Sequence, residues 1–248
     1  MSIAIVRWAT LGVALALSSG VSRGADPCSS ESFEGRAYVI CRAPLDKYAI
    51  RLFWRKADGT PYTYLNALPK TDERGNRLAF ALNGGMYNSE YKPVGLYVEG
   101  GRPLVEANTR SGMGNFHLKP NGVFYVGEDG AGVMETSAYL RNRPSTVFAT
   151  QSGPMLVIEG QLHPRLARAK ISEKIRDGVC VRDGSLVLFA LSEEPVPFDT
   201  FERLFRDSLK CRNALFLDGG SAPALYRPAS AGWGNLLVGL GPMIAVYE

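Results

Sequence analysis

The chain has 248 residues, 46% of them hydrophobic and 21% charged, with 28 Lys and Arg against 24 Asp and Glu. A net charge of +4 is too mild for a polybasic face, which argues against nucleic acid or an anionic membrane surface as a partner. The length suits a single domain with a sizeable core.

Residues 1–25 read as a secretory signal peptide. Arg7 gives the positive start, residues 8–17 the apolar run, and Ser22 and Gly24 the small positions before a cleavage site. A spanning helix needs about 20 apolar residues, more than this run offers. No later stretch is long and apolar enough to cross a bilayer. A lipid anchor fits poorly, because Asp26-Pro27 precedes Cys28 where small apolar residues belong. Residues 26–248 are therefore expected to work outside the cytoplasm, in the periplasm or beyond. Disulfides persist there. Cys28, Cys41, Cys180 and Cys211 allow three pairings. The most local one joins Cys28 to Cys41 and Cys180 to Cys211, with Cys180 as a buried free thiol the alternative.

Strands are expected at residues 37–40, 49–54, 78–82, 94–98, 122–126, 146–150 and 155–158, with Gly and Pro spread between them. Glu99-Gly100-Gly101, Glu128-Asp129-Gly130 and Asp183-Gly184 are hairpin signals, the last between strands at 179–182 and 186–191. One helix is marked by a capping-box pattern at Asp199 and Glu202 and by Phe198, Phe201, Leu204, Phe205 and Leu209 at helical spacing. Asn213 is its expected left-handed end, and a strand at 214–217 follows. Strand, helix and strand imply a crossover and a parallel pair. The expected class is α/β (α+β), a mixed β-sheet with hairpins and few helices. Gly153-Pro154-Met155-Leu156 echoes Gly241-Pro242-Met243-Ile244, and Asn83-Gly84-Gly85 echoes Asp218-Gly219-Gly220. The echo marks either two similar halves or chance.

Asp218 ends an apolar strand and begins a Gly-Gly turn, a place where ligands commonly bind in α/β sheets. Gly219 and Gly220 leave the backbone bare, so N–H groups can face an anion, and Ser221 adds a hydroxyl. The plain alternative is a turn in which Asp218 bonds its own backbone. Asn83, Gly84, Gly85 and Tyr87 repeat the pattern, with Tyr87 placed to stack on a sugar or to pack. Asn121, Thr150 and Ser152 are further neutral polar groups beside glycines or strand ends, the kind sugar recognition uses. Arg176 precedes an apolar strand, where a guanidinium either grips a phosphate bidentately or lies on the surface.

Other chemistries are poorly supported. His117 and His163 are the only histidines, and neither an HExxH motif nor a CxxC motif is present. Gly219-Gly220-Ser221-Ala222-Pro223 lacks the final glycine of a serine-hydrolase elbow and has no downstream His. Phosphate-binding and dinucleotide-binding glycine motifs are missing.

Taken together, several segments resemble the phosphodiester glycosidase family. They are Asn83-Gly84-Gly85-Met86-Tyr87, Pro93-Val94-Gly95-Leu96-Tyr97-Val98, Gly114-Asn115-Phe116 and Lys119-Pro120-Asn121-Gly122-Val123-Phe124. Residues 149–157 and Leu217-Asp218-Gly219-Gly220-Ser221 complete the set. The resemblance runs from about residue 78 to 226, and points to the uncharacterised exported bacterial branch. Many relatives carry a third glycine where this chain has Ser221. The resemblance implies a mixed α/β hydrolase of sugar-1-phosphodiesters, with Asn83, Arg176 and Asp218 carried over as site residues and Asn121, Thr150 and Ser152 beside them. Ordinary glycosidases need two carboxylates to expel a poor alkoxide. A phosphate monoester leaves more easily, so one carboxylate, Asp218, and one cation, Arg176, suffice in principle. Glu106 is the candidate for a second carboxylate. No protein metal ligand set is expected; a bound divalent cation such as Ca²⁺ is left open, although the sequence shows no loop of that kind. The expected partner is a sugar phosphate or glycan. The rival reading is a module that binds an envelope glycan or phosphoglycan without cutting it.

Overall fold

Burial alternates residue by residue through Ala49–Phe53, as it must where one face of a strand meets a core. The computed structural model describes Met1 and residues 26–166, 172–228 and 232–248. The segment expected to be a signal peptide lies outside the described residues, apart from Met1. The first half carries β1 (Cys28–Phe33), β2 (Arg36–Pro44), β3 (Ala49–Phe53), β4 (Leu78–Asn83), β5 (Tyr97–Glu99), β6 (Arg102–Val105), β7 (Gly122–Val126) and β8 (Ala131–Glu135). Helix α1 (Thr136–Asn142) leads into β9 (Phe148–Ser152), β10 (Met155–Ile158), β11 (Gln161–Leu162), β12 (Arg176–Arg182) and β13 (Leu186–Ser192). Helix α2 (Phe198–Arg203) precedes β14 (Ala214–Gly219), β15 (Ala224–Tyr226), β16 (Trp233–Gly234) and β17 (Met243–Tyr247).

These strands form a seven-stranded sheet, β1-β2-β13-β12-β14-β10-β11, and two five-stranded sheets, β16-β15-β4-β17-β3 and β6-β5-β9-β7-β8. One apolar cluster joins all three, with Phe189 and Leu215 from the first, Phe80 and Leu82 from the second and Tyr97 and Phe124 from the third. On the other face of the large sheet, Phe198, Phe201 and Phe205 pack on Tyr38, Ile40 and Phe216. Each such ring contributes about 1.5–3 kcal/mol through burial. The result is mainly β with few helices.

Three expectations about this region change. The strand–helix–strand unit makes no parallel pair. β12 lies between β13 and β14 and is antiparallel to both, so the crossover skips one strand. The capping box does not form either. Asp199 Oδ1 accepts from Thr200 N at 3.0 Å, while Glu202 turns inward and accepts from His163 N at 3.1 Å. A π turn at Leu204–Ser208 extends α2, and Lys210, at φ 56°, takes the left-handed position expected of Asn213. Asn213 instead bonds Glu159. The hairpin signal at Asp183-Gly184 holds, with φ of 52° and 69°, the left-handed pair a tight hairpin requires. The disulfides are Cys28–Cys41 and Cys180–Cys211, the local pairing.

Candidate active site

Two strand ends meet where the echoed motifs lie. β4 ends at Asn83, which pairs with Met243 of β17; β14 ends at Asp218-Gly219 and pairs through Leu215 with Met155 of β10. Each echo is thus a Gly-Pro-Met strand set against a strand that ends in a glycine turn. In one, Gly84 N donates to Pro242 O at 2.8 Å; in the other, Phe216 N donates to Pro154 O at 3.1 Å. β9 braces both ends. Thr150 Oγ1 accepts from Gly85 N at 3.2 Å, and Ser152 Oγ donates to Leu217 O at 2.7 Å. A Cβ on Gly85 would lie 2.6 Å from Gln151 O, so only glycine permits this approach.

β12 enters beside Asp218, with Arg176 opposite Gly219 and Asp177 opposite Asp218. Asp177 Oδ1 accepts from Asp218 N at 2.9 Å. Asp177 has no exposure. Burial, then the charge of Asp218, drives its carboxyl well above the usual range, while the Asn83 amide opposes the rise. Neither Asp177 Oδ2 nor Asn83 Nδ2 meets hydrogen-bond geometry with a described partner. Asn83 Oδ1 accepts from Ala224 N at 3.2 Å.

Asp218 itself is half-buried. Its Oδ1 accepts from Gly219 N at 2.7 Å, and among the described residues no hydrogen bond reaches Oδ2. Burial pushes this carboxyl up to about 6, near the pH at which an acid or base works best. Tyr87 lies within the electrostatic reach of both aspartates. Burial first and then Asp218 push its phenol up to about 12. Its ring stacks on Tyr91 and its hydroxyl donates to Gly239 O at 2.9 Å.

The turn is less open to an anion than its glycines suggest. Gly219 N is bound to Asp218, and Gly220 N donates to Ile175 O at 3.0 Å. Two main-chain donors are therefore already committed. Gly220, at φ 76°, and Ser221 are exposed at the rim. Asn121 is fully buried away from solvent; it donates to Phe116 O and accepts from Thr136 Oγ1, both at 2.9 Å.

The Arg176 side chain leaves β12 toward α2 and stacks 3.5 Å from the centre of the Phe198 ring. It is 1% exposed. Nε donates to Val196 O at 2.9 Å and Nη2 to Ser172 O at 2.6 Å. No carboxylate pairs with it among the described residues, and burial lowers its pKa to about 10. It stays charged at neutral pH. No hydrogen bond or ion pair joins it to Asp218.

Glu106 is elsewhere. It lines a cleft of about 630 Å³ with Lys92 and Arg110, to which neither aspartate contributes. The second carboxylate beside Asp218 is Asp177, which sequence reasoning did not single out. Its signal was an acid at the head of a strand otherwise as apolar as Gly178-Val179-Cys180-Val181. Among the described residues, no cluster of three or more His, Cys, Asp or Glu is placed to hold a metal ion.

Comparison with known proteins shows the family and the fold of the chain. The chain is 34% identical over 184 residues to an uncharacterised Escherichia coli (strain K12) protein, YigE, across 74% of this chain and 72% of that one. The catalytic domain of zebrafish N-acetylglucosamine-1-phosphodiester alpha-N-acetylglucosaminidase, auto-inhibited by its pro-peptide, shares the fold. Its TM-score is 0.61 at 13% identity, covering 89% of this chain and 81% of that one. A hypothetical protein from Synechocystis is similar at TM-score 0.57 and 12% identity, over 89% of this chain and 61% of that one. The phosphodiester glycosidase family model matches residues 76–239, a span that begins just before β4 and takes in the ends of both β4 and β14, and the chain belongs to that family.

Proposed function

We propose that the chain is exported, loses residues 1–25, and acts through residues 26–248 as one domain that hydrolyses the glycosidic bond of a sugar-1-phosphodiester. The observation that carries this reading is the half-buried Asp218 carboxyl, held by one oxygen and, among the described residues, unbonded at the other, with its pKa raised to about 6. Membership of the family supports the reaction class. Asp218 serves the anomeric carbon as base or nucleophile. Over the whole reaction a bond forms between the anomeric carbon and a water oxygen. The bond from that carbon to the phosphate oxygen breaks, and its electron pair leaves on the phosphate monoester. Arg176, expected from the sequence to grip the phosphate, is instead buried against Phe198 with Nε and Nη2 bound to Val196 O and Ser172 O, so its part is to anchor the head of β12 beside Asp218. Asn83, Gly84, Gly85, Tyr87, Gly219, Gly220 and Ser221 border the sugar, Thr150 and Ser152 hold the strand ends that present it, and Asn121 fixes the loop that leads into β7. Incubating wild type and Asp218→Asn with a panel of sugar-1-phosphodiesters, UDP-sugars included, tests this. Turnover by wild type and a loss of at least about 10²-fold in the variant support the enzyme.

The committed donors of Arg176, Gly219 and Gly220 leave few groups for a phosphate, which favours a second reading, a module that holds an envelope glycan without cutting it. Binding with no turnover across the panel supports that reading and overturns the first.

A further inference from the structure

Asp177 carries a carboxyl group into the interior with no cation to balance it. Its side chain is 0% exposed, and among the described residues no Lys, Arg or His forms an ion pair with it. The groups that face it are Asp218 from β14, Asn83 from β4 and Tyr87 from the turn after β4. Arg176 is its chain neighbour, but that guanidinium is turned toward Phe198 and bound to Val196 and Ser172. A lone buried carboxylate beside another is expensive to ionise, so it keeps its proton. A neutral acid still accepts a hydrogen bond on Oδ1, and that is the contact Asp177 makes with the main-chain N–H of Asp218.

We propose that Asp177 is a positioning residue for Asp218: a neutral, protonated acid that grips the Asp218 backbone through Oδ1 and leaves Asp218 as the one negative charge of the site. This rests on the glycosidase reading for its role in turnover, while the protonation state stands apart from it. When pH rises far enough to ionise Asp177, two negative charges face each other and the site is disrupted. The Asp177 carboxyl thereby sets an alkaline limit on activity that Asp218 alone does not.

Two measurements test this. In infrared spectra of protein labelled with carbon-13 aspartate at neutral pH, wild type shows a protonated carboxyl stretch. Asp177→Asn lacks that band and Asp218→Asn keeps it. Absence of the band in wild type, or its loss in Asp218→Asn alone, overturns the proposal whether or not any substrate is turned over. In kinetics, Asp177→Asn keeps an acceptor for the Asp218 N–H and is expected to cost about threefold in kcat, whereas Asp177→Ala costs more than about thirtyfold, with KM within about twofold in both. The alkaline limb of the wild-type profile is absent in Asp177→Asn. A limb unchanged in that variant, or equal losses in both, contradicts the proposal. If wild type turns over nothing in the panel, the glycosidase reading fails and the infrared band decides Asp177 alone.

Discussion

The ionisation of Asp218 works against folding. Its carboxyl is raised to about 6 in the folded chain, against an unfolded value near ~3.9. Between those values the folded state binds more protons, so stability falls as pH rises through that window. Asp218→Asn removes the penalty while its side-chain oxygen still accepts from Gly219. The variant is expected to melt at a higher temperature than wild type at neutral pH, by at most about 3 kcal/mol of stability, with the gain gone below about pH 4. An equal or lower melting temperature at neutral pH contradicts the raised pKa. Asp218 was legible in the sequence because it stands at a strand end before two glycines. Asp177 was not, because only the register of β12 against β14 puts it opposite Asp218, and sequence alone does not fix which strand lies between two others.

Helix α2 shows the same contest between local and tertiary preference. Glu202 stands where a capping box would use it, but the turn at His163 claims it. It is fully buried, Oε1 has no described partner, and desolvation pushes its carboxyl up to about 8. His163 N lowers it, Asp199 raises it, and Arg203 and Arg206 lower it. A raised acid again costs stability as pH climbs from its unfolded value to its folded one. Glu202→Gln is therefore expected to exceed wild type by at least about 1 kcal/mol above pH 8, and to match it below about pH 4, in denaturant melts. Hairpins and apolar strands were readable from composition and turn residues, as at Asp183-Gly184. The parallel pair was not there to be found, because β12 takes the slot between β13 and β14.

At the scale of the molecule, β9 is the member that links the parts. Thr150 ties the Asn83 end and Ser152 the Asp218 end, so residues from three sheets bear on one site. The echo of Gly-Pro-Met strands with glycine turns was visible in the sequence. What it does, setting two strand ends toward each other, needed the pairings of β10 with β14 and of β17 with β4. Many of the neutral polar groups read as sugar ligands turn out to brace this frame, Asn121 above all. The measurement that bears most directly on the central claim is hydrolysis of a sugar-1-phosphodiester by wild type in ¹⁸O water. Cleavage at the anomeric carbon predicts label in the released sugar and none in the phosphate. Label in the phosphate contradicts a glycosidase.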